Sequence, residues 1–195
     1  MAAVPLPASW LDDPVPSGLT PDQPGFSLPV GTVTFLLTDI EGSTRGWESA
    51  PSAMGPAVAR HYEVLDEAIA AHHGVRPVEQ GEGDSVVGAF ARASDAVAAA
   101  LFAQRALASE AWPRGAALRV RMALHTGEAE LRGEGNYFGP AVIRCARLRA
   151  IAHGGQVLVS RATAELVAAP DERGQLDGQI VGHRVEGMQR PEGAA

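Results

Sequence analysis

The run Thr32-Val-Thr-Phe-Leu-Leu-Thr-Asp-Ile-Glu-Gly-Ser-Thr-Arg45 decides the fold. Its first seven residues are β-branched, aromatic or aliphatic and stop at Asp39, the pattern of a strand. A small-residue loop follows, and then the period changes. Met54, Val58, Tyr62, Leu65 and Ile69 recur at spacings of four, four, three and four. That spacing predicts a helix over 52–73, ended by Gly74. Val75–Gln80 and Ser85–Phe90 flank Gly81-Glu-Gly-Asp84, a hairpin signal. Ser94 is expected to cap a second, Ala-rich helix reaching about Glu110. Leu118, Val120, Met122 and Leu124 alternate with polar or small residues, as a half-buried strand does. A third helix is expected from about Gly139 to Ala152, stopped by Gly154-Gly155. A strand over 157–160, a short helix over 162–168 and a strand over 177–186 follow. The order β-α-β-β-α-β with further α and β elements is an α+β, ferredoxin-like plan. It implies an antiparallel sheet with helices on one face.

Upstream, seven of the fourteen prolines fall within residues 5–29 and interrupt every possible helix there. Residues 1–28 read as a flexible arm, 29–190 as one domain and 191–195 as a tail. The 195 residues, 46% hydrophobic and 20% charged, suffice for one core. Sixteen basic residues against 23 acidic ones give a net charge of −7, and all sixteen are arginine. With no lysine, a Schiff base and a Walker-A phosphate loop are excluded. An acidic chain also lacks the basic surface that nucleic-acid binding needs. The single Cys145 excludes an intramolecular disulfide framework and a thiolate zinc cluster. No apolar run approaches 18 residues, and the N-terminus lacks a basic segment followed by an apolar one. The expectation is a cytoplasmic protein with no membrane segment.

Two carboxylates stand in unusual places. Asp39 ends the first strand and Asp84 lies in the tight turn of the hairpin. If strand and hairpin are neighbours, both side chains converge at one edge of the sheet. Paired carboxylates at such an edge suit two Mg²⁺ or Mn²⁺ ions and the phosphates of a nucleotide. The backbone N–H groups of Glu41, Gly42, Ser43 and Thr44 precede a helix and suit phosphate oxygens. Taken singly, each aspartate also fits a strand end or a turn.

The combination is more specific. Phe35-Leu-Leu-Thr-Asp-Ile-Glu-Gly-Ser-Thr-Arg45, Gly83-Asp84, Leu124-His-Thr-Gly127 and Asn136-Tyr-Phe-Gly-Pro, with Arg147 beyond, occur in this order. Together they resemble the catalytic domain of class III adenylate/guanylate cyclases over roughly residues 30–190. The bacterial domains found upstream of ATPase and helix-turn-helix regulator regions are the nearest likeness. The resemblance implies a head-to-tail homodimer with composite sites at the subunit interface. It implies that Asp39 and Asp84 bind metal, with the Ile40 carbonyl as a further ligand. The substrate is then ATP or GTP, cyclised through its 3′-hydroxyl with loss of pyrophosphate.

Four positions depart from the family pattern. Gln80 stands where a purine-selecting lysine is usual, and Asn136 where its aspartate partner is. Each amide has a donor and an acceptor end, so this pair separates neither purine from the other. In the third helix the family carries an asparagine and an arginine four apart, on one helix face. Arg147 matches the arginine, but the asparagine position is Ile143, which donates no hydrogen bond. Losing one such donor costs roughly 10²–10³ in rate, about 2.7–4 kcal/mol. Arg144 lies about 100° around the helix from it. Near the C-terminus, Glu186 occupies the place of a triphosphate-binding lysine, with Arg184 as the nearby cation. The residues therefore leave three readings: a weakly active cyclase, a nucleotide- or metal-binding regulatory module, and a dimerisation domain. Pairing with a more complete homologue would supply the missing asparagine to one composite site. A diguanylate cyclase is set aside because the turn reads Gly81-Glu-Gly-Asp-Ser85. His125 is read as structural, His72 and His73 as complements to a helix dipole, and Cys145, Trp47 and Trp112 as packing residues.

Overall fold

The computed structural model describes residues 28–78, 83–132, 135–167 and 183–184. The elements are β1 (Gly31–Ile40), α1 (Ser43–Ser49), α2 (Pro51–Ala71), β2 (Val86–Phe90), α3 (Ala93–Ser109), β3 (Val120–Arg132), β4 (Asn136–Phe138), α4 (Pro140–Ala150), β5 (Gln156–Val159), α5 (Arg161–Val167) and β6 (His183–Arg184). The sheet order is β2-β1-β3-β5-β6, with β4 paired to β3 off that path. β1 runs antiparallel to both β2 and β3, while β3 and β5 are parallel. Val75 makes an isolated antiparallel bridge to Ala89, outside β2. Counting that bridge, the first four strand segments pair in the ferredoxin-like order.

The helices lie on both faces of the sheet, not on one as expected. The reason is in β1, where every residue from Val33 to Thr38 is buried. Leu36 and Ile40 pack with Leu65, Ile69, Ala99 and Ala103 from α2 and α3. Val33, Phe35 and Leu37 pack with Ala141 and Cys145 from α4 on the opposite face. A strand apolar at both parities needs a cover on each side. Each fully buried Leu, Ile or Phe contributes about 1.5–3 kcal/mol, so both layers matter to stability.

Helix ends differ from the sequence reading in instructive ways. α3 begins at Ala93 with extended Arg92 as its N-cap, so Ser94 lies inside the first turn and caps nothing. α2 stops where His73 takes a left-handed conformation (φ 59°), and the Gly74 N–H returns to the Ile69 carbonyl at 2.8 Å. Gly74 is needed for space, because a Cβ there would meet the Phe90 ring at 2.3 Å. Of the strand expected over 75–80, only the Val75 bridge forms among the described residues. Of the strand expected over 177–186, β6 is the described part. The arm expected over 1–28, apart from residue 28, and the tail over 191–195 lie outside the described residues. No helix among the described residues is long and apolar enough to cross a membrane.

Candidate two-carboxylate site

The register of β1 against β2 pairs Thr38 with Val86. Continued by two residues, it brings Ile40 level with Asp84. The Ile40 N–H donates to Asp84 Oδ2 at 3.0 Å, and the Ser43 hydroxyl donates to Oδ1 at 3.3 Å. Asp84 is thereby drawn to the C-terminal end of β1, where Asp39 stands. Burial pushes the Asp84 carboxyl above its usual range, and the charge of Asp39 adds to the push. The two acids are close enough for the charge of Asp39 to act on Asp84.

Asp39 shares its pleat side with Phe35 and Leu37, and its direct cross-strand neighbour on β3 is Arg121. The Arg121 Nε–H donates to Asp39 Oδ2 at 2.7 Å, and a second guanidinium N–H reaches the same oxygen. The Asp39 side chain is 16% exposed, so one face of this ion pair is open to solvent. Both Arg121 bonds fall on Oδ2, and Asp39 Oδ1 has no hydrogen bond among the described residues.

Three more side chains hold the rim. The Tyr62 hydroxyl, from α2, donates to the Gly83 carbonyl at 2.9 Å and fixes the turn carrying Asp84. The Ser85 hydroxyl donates to the Thr38 carbonyl at 2.9 Å, bridging the residues next to each acid. Arg149 of α4 donates to the Thr38 carbonyl at 3.1 Å and to the Ser85 hydroxyl. On α2, His61 is wholly buried with neither ring nitrogen bonded among the described residues. Burial lowers its pKa to about 4, and Arg76 acts in the same direction.

The loop after β1 leads into α1. Gly42 takes φ 72° and starts α1, whose first-turn amides at Ser43, Thr44 and Arg45 have no partner within the helix. The Glu41 N–H is already committed, donating to the Arg119 carbonyl at 2.8 Å, so it is not one of the cradle donors.

The other candidate positions separate from this rim. On α4, Ala141, Cys145 and Arg149 recur every four residues on the side facing the sheet, Cys145 fully buried with its thiol pushed up to about 12 by burial. Ile143 and Arg147 share the outward side. Ile143 is 49% exposed, and Arg147 makes no hydrogen bond or ion pair among the described residues. Within one copy, Arg147 does not join the carboxylates. Asn136 is half-buried on β4 opposite Arg132. Gln80 and Glu186 lie outside the described residues. His125 donates or accepts at Ser160 through Nδ1 at 2.9 Å, in a buried hydroxyl chain running through Thr163 and Thr126 to Thr34. That placement fits its structural reading.

Sequence reasoning missed Arg121, Tyr62, Ser85 and Arg149. Arg121 was within reach, since strands of known register place it opposite Asp39. Arg149 carried a weaker signal: it is the polar member of a four-residue stripe otherwise made of Ala141 and Cys145.

The donor set is oxygen only, two carboxylates with backbone carbonyls nearby, which fits Mg²⁺ or Mn²⁺ and not a thiolate-seeking metal. Asp84, partly buried and with its proton affinity raised further by the neighbouring charge of Asp39, is also a place where a cation removes repulsion.

Residues 27–187 match the adenylate and guanylate cyclase catalytic domain family. An uncharacterized protein of Mycobacterium tuberculosis is 47% identical over 167 residues, covering 84% of this chain and 55% of the relative. The chain thus spans about half the length of the curated relatives it matches most extensively. The adenylate cyclase of Lachancea kluyveri is 30% identical over 162 residues, 71% of this chain but 9% of that protein. Among solved structures, a Trypanosoma brucei adenylate cyclase in its monomeric state superposes with a TM-score of 0.65 at 26% identity, over 72% of this chain and 78% of that one. The guanylate cyclase domain of RhGC from Catenaria anguillulae, in complex with GTP, shares the fold, with a TM-score of 0.62 at 18% identity over 72% and 84% of the two chains. The chain belongs to the adenylate and guanylate cyclase catalytic domain family.

Proposed function

We propose that the chain is a nucleotidyl cyclase domain of low turnover that converts ATP, or GTP in its place, to a 3′,5′-cyclic nucleotide and pyrophosphate. The observation that carries this reading is the meeting of Asp39 and Asp84 at the end of β1, with the Ile40 amide holding the second acid in place. In this reading Asp39, Asp84 and the Ile40 carbonyl hold two Mg²⁺ or Mn²⁺ ions. When bound, such ions neutralise the triphosphate and lower the pKa of the ribose 3′-hydroxyl. The first-turn amides of α1 at Ser43 and Thr44 orient phosphate oxygens, and Ser43 also keeps Asp84 aligned. Arg147 stabilises charge developing at the α-phosphorus. Because Arg147 points outward, it serves a site that a second chain completes. That chain is another copy in a homodimer or a more complete homologue in a heterodimer. Gln80 and Asn136 contact the purine. The domain over 29–190 works in the cytoplasm, without membrane or nucleic-acid contact.

A second reading is favoured by one specific observation. Ile143, at the position that supplies a ribose donor in the family, is exposed and apolar. With Glu186 as a second loss, the domain would bind nucleotide and metal, or only dimerise, and regulate without turnover. The test is product formation from Mn²⁺–ATP and Mn²⁺–GTP by purified protein, alongside Asp39→Ala. Product that disappears in Asp39→Ala supports the enzyme; product unchanged in that variant belongs to a contaminant. Calorimetry with a non-cyclisable ATP analogue separates the second reading, which predicts binding without turnover.

A further inference from the structure

We propose that Arg149 is a positioning residue for the carboxylate pair: its guanidinium ties the residue before Asp39 to the residue after Asp84 and so fixes how far apart the two acids stand. The inference rests on the proposed cyclase reading for its purpose, but the geometry is independent of it. One terminal nitrogen, Nη1, donates to the Thr38 carbonyl at 3.1 Å and to the Ser85 hydroxyl. Ser85 itself donates to the same Thr38 carbonyl at 2.9 Å, closing a three-membered knot between β1, β2 and α4. Thr38 and Ser85 are both buried, and the two Arg149 bonds are part-buried.

The knot matters because it lies where the strand pairing gives out. The regular β1–β2 pairing ends at Thr38 and Val86, before either acid is reached. Beyond that point the Ile40 and Tyr62 bonds hold Asp84 from the α2 side. Arg149 supplies the restraint from the α4 side. It is a costly residue to use there. Its Nε is buried without a hydrogen-bond partner among the described residues, whereas a purely packing role at the end of the Ala141–Cys145 stripe would suit an aliphatic side chain. An arginine retained in that setting delivers a fixed donor geometry that a hydrocarbon does not.

The test uses the full chain and two readouts. Amide hydrogen exchange without metal reports the spacing directly, through the Ile40 N–H bonded to Asp84. Mn²⁺ titration followed by electron paramagnetic resonance reports cation affinity. In Arg149→Met the Ile40 amide is expected to exchange about tenfold faster or more while β3 and β5 amides keep their protection. Mn²⁺ affinity is expected to fall about 10–100-fold, the usual size for a residue supporting metal ligands. Arg149→Lys, which keeps a donor, is expected to restore most of both. If Arg149→Met fails to fold, Ser85→Ala cuts the same knot from its other end and is read in the same way. Unchanged Ile40 exchange, or an equal loss of protection throughout the sheet, overturns the proposal. If wild-type protein binds no Mn²⁺, or binds it equally well in Asp84→Asn, the cation reading falls, while a selective response at Ile40 still upholds the positioning role.

Discussion

The two sides of α4 differ in kind. Its inward side carries Ala141, Cys145 and Arg149 onto the sheet, and Arg149 reaches the rim where Asp39 and Asp84 meet. Asp84 is bonded from β1 and α1, and Asp39 from β3 through Arg121. Its outward side carries Ile143 and Arg147, exposed and without hydrogen bonds among the described residues. In the proposed reading, the rim holds a charged polyphosphate, whereas the outward face carries the hydrocarbon Ile143 where the family pattern has a donor. On that reading, binding and turnover draw on opposite sides of one helix and can be tested separately.

The largest effect is expected from breaking the rim. Asp39→Ala removes one of the two acids and leaves Arg121 with an unanswered charge. Cyclic nucleotide formation should drop by more than the roughly 10²–10³-fold that one transition-state donor is worth. Thermal stability should change far less, since the Asp39–Arg121 pair is open to solvent and such pairs contribute about 1 kcal/mol or less. A chromatographic assay for product with Mn²⁺–ATP, beside a thermal melt, checks both halves.

Sharpening the comparison from the other side, Ile143→Asn returns a donor to the outward face. If the rest of the composite site assembles, turnover should rise by roughly 10²–10³-fold with little change in nucleotide affinity. A steady-state comparison of kcat and KM decides it. No gain would mean that the missing asparagine is not what limits the chain, and the regulatory reading would strengthen.

Helix α2 offers a test of intermediate size. His61 is buried with a pKa lowered to about 4 against an ordinary value near 6.5. Because the folded state holds this imidazole neutral, its contribution is complete above about pH 6.5 and is lost as pH falls towards and through 4. At pH 4.5 the unfolded chain's greater proton affinity costs the fold about 2–3 kcal/mol. His61→Leu removes the titration while keeping an apolar filler. Melts at pH 7.5 and 4.5 should therefore diverge less in the variant than in the wild type. An acid limb unchanged by the substitution would show that the imidazole is not the group responsible.

How much of this was legible beforehand follows from the range of each interaction. β1, the long helix α2 and the pairing of Asp39 with Asp84 were readable, because period and turn chemistry are local and the two acids stand at element ends. The second covered face was not, although apolar residues at both parities, Val33, Phe35 and Leu37 against Leu36 and Ile40, were its signal. The stop of α2 was misattributed to Gly74, because the left-handed residue is His73 and the glycine is required by a ring approaching from β2. Tyr62, Ser85 and Arg149 act through contacts spanning 21, 47 and up to 111 residues of sequence, which no local pattern encodes. The outward position of Ile143 and Arg147 relative to the acids depends on how α4 docks, which is set by Cys145 and Arg149 on its other side.

The smallest predicted effect is the one that most directly links the rim to its purpose. Burial and the neighbouring charge of Asp39 raise the Asp84 pKa. A carboxylate raised in this way binds protons more tightly folded than unfolded. Without a cation, stability therefore falls as pH rises from the unfolded pKa through the folded one, and at neutral pH the ionised acid is a cost to the fold. Asp84→Asn removes that charge and keeps an oxygen that accepts from the Ile40 N–H. In metal-free buffer at pH 7 its Tm should exceed that of wild type by about 2–4 °C, the size of roughly 1 kcal/mol in a domain of this length. Adding Mn²⁺ should reverse the order, because the wild type gains binding energy that the variant cannot. A rim maintained only to hold the fold together would show the opposite in metal-free buffer: removing one of its charges would weaken it. Two melts with and two without Mn²⁺ thus distinguish acids that stabilise the chain from acids that the chain tolerates for the sake of a ligand.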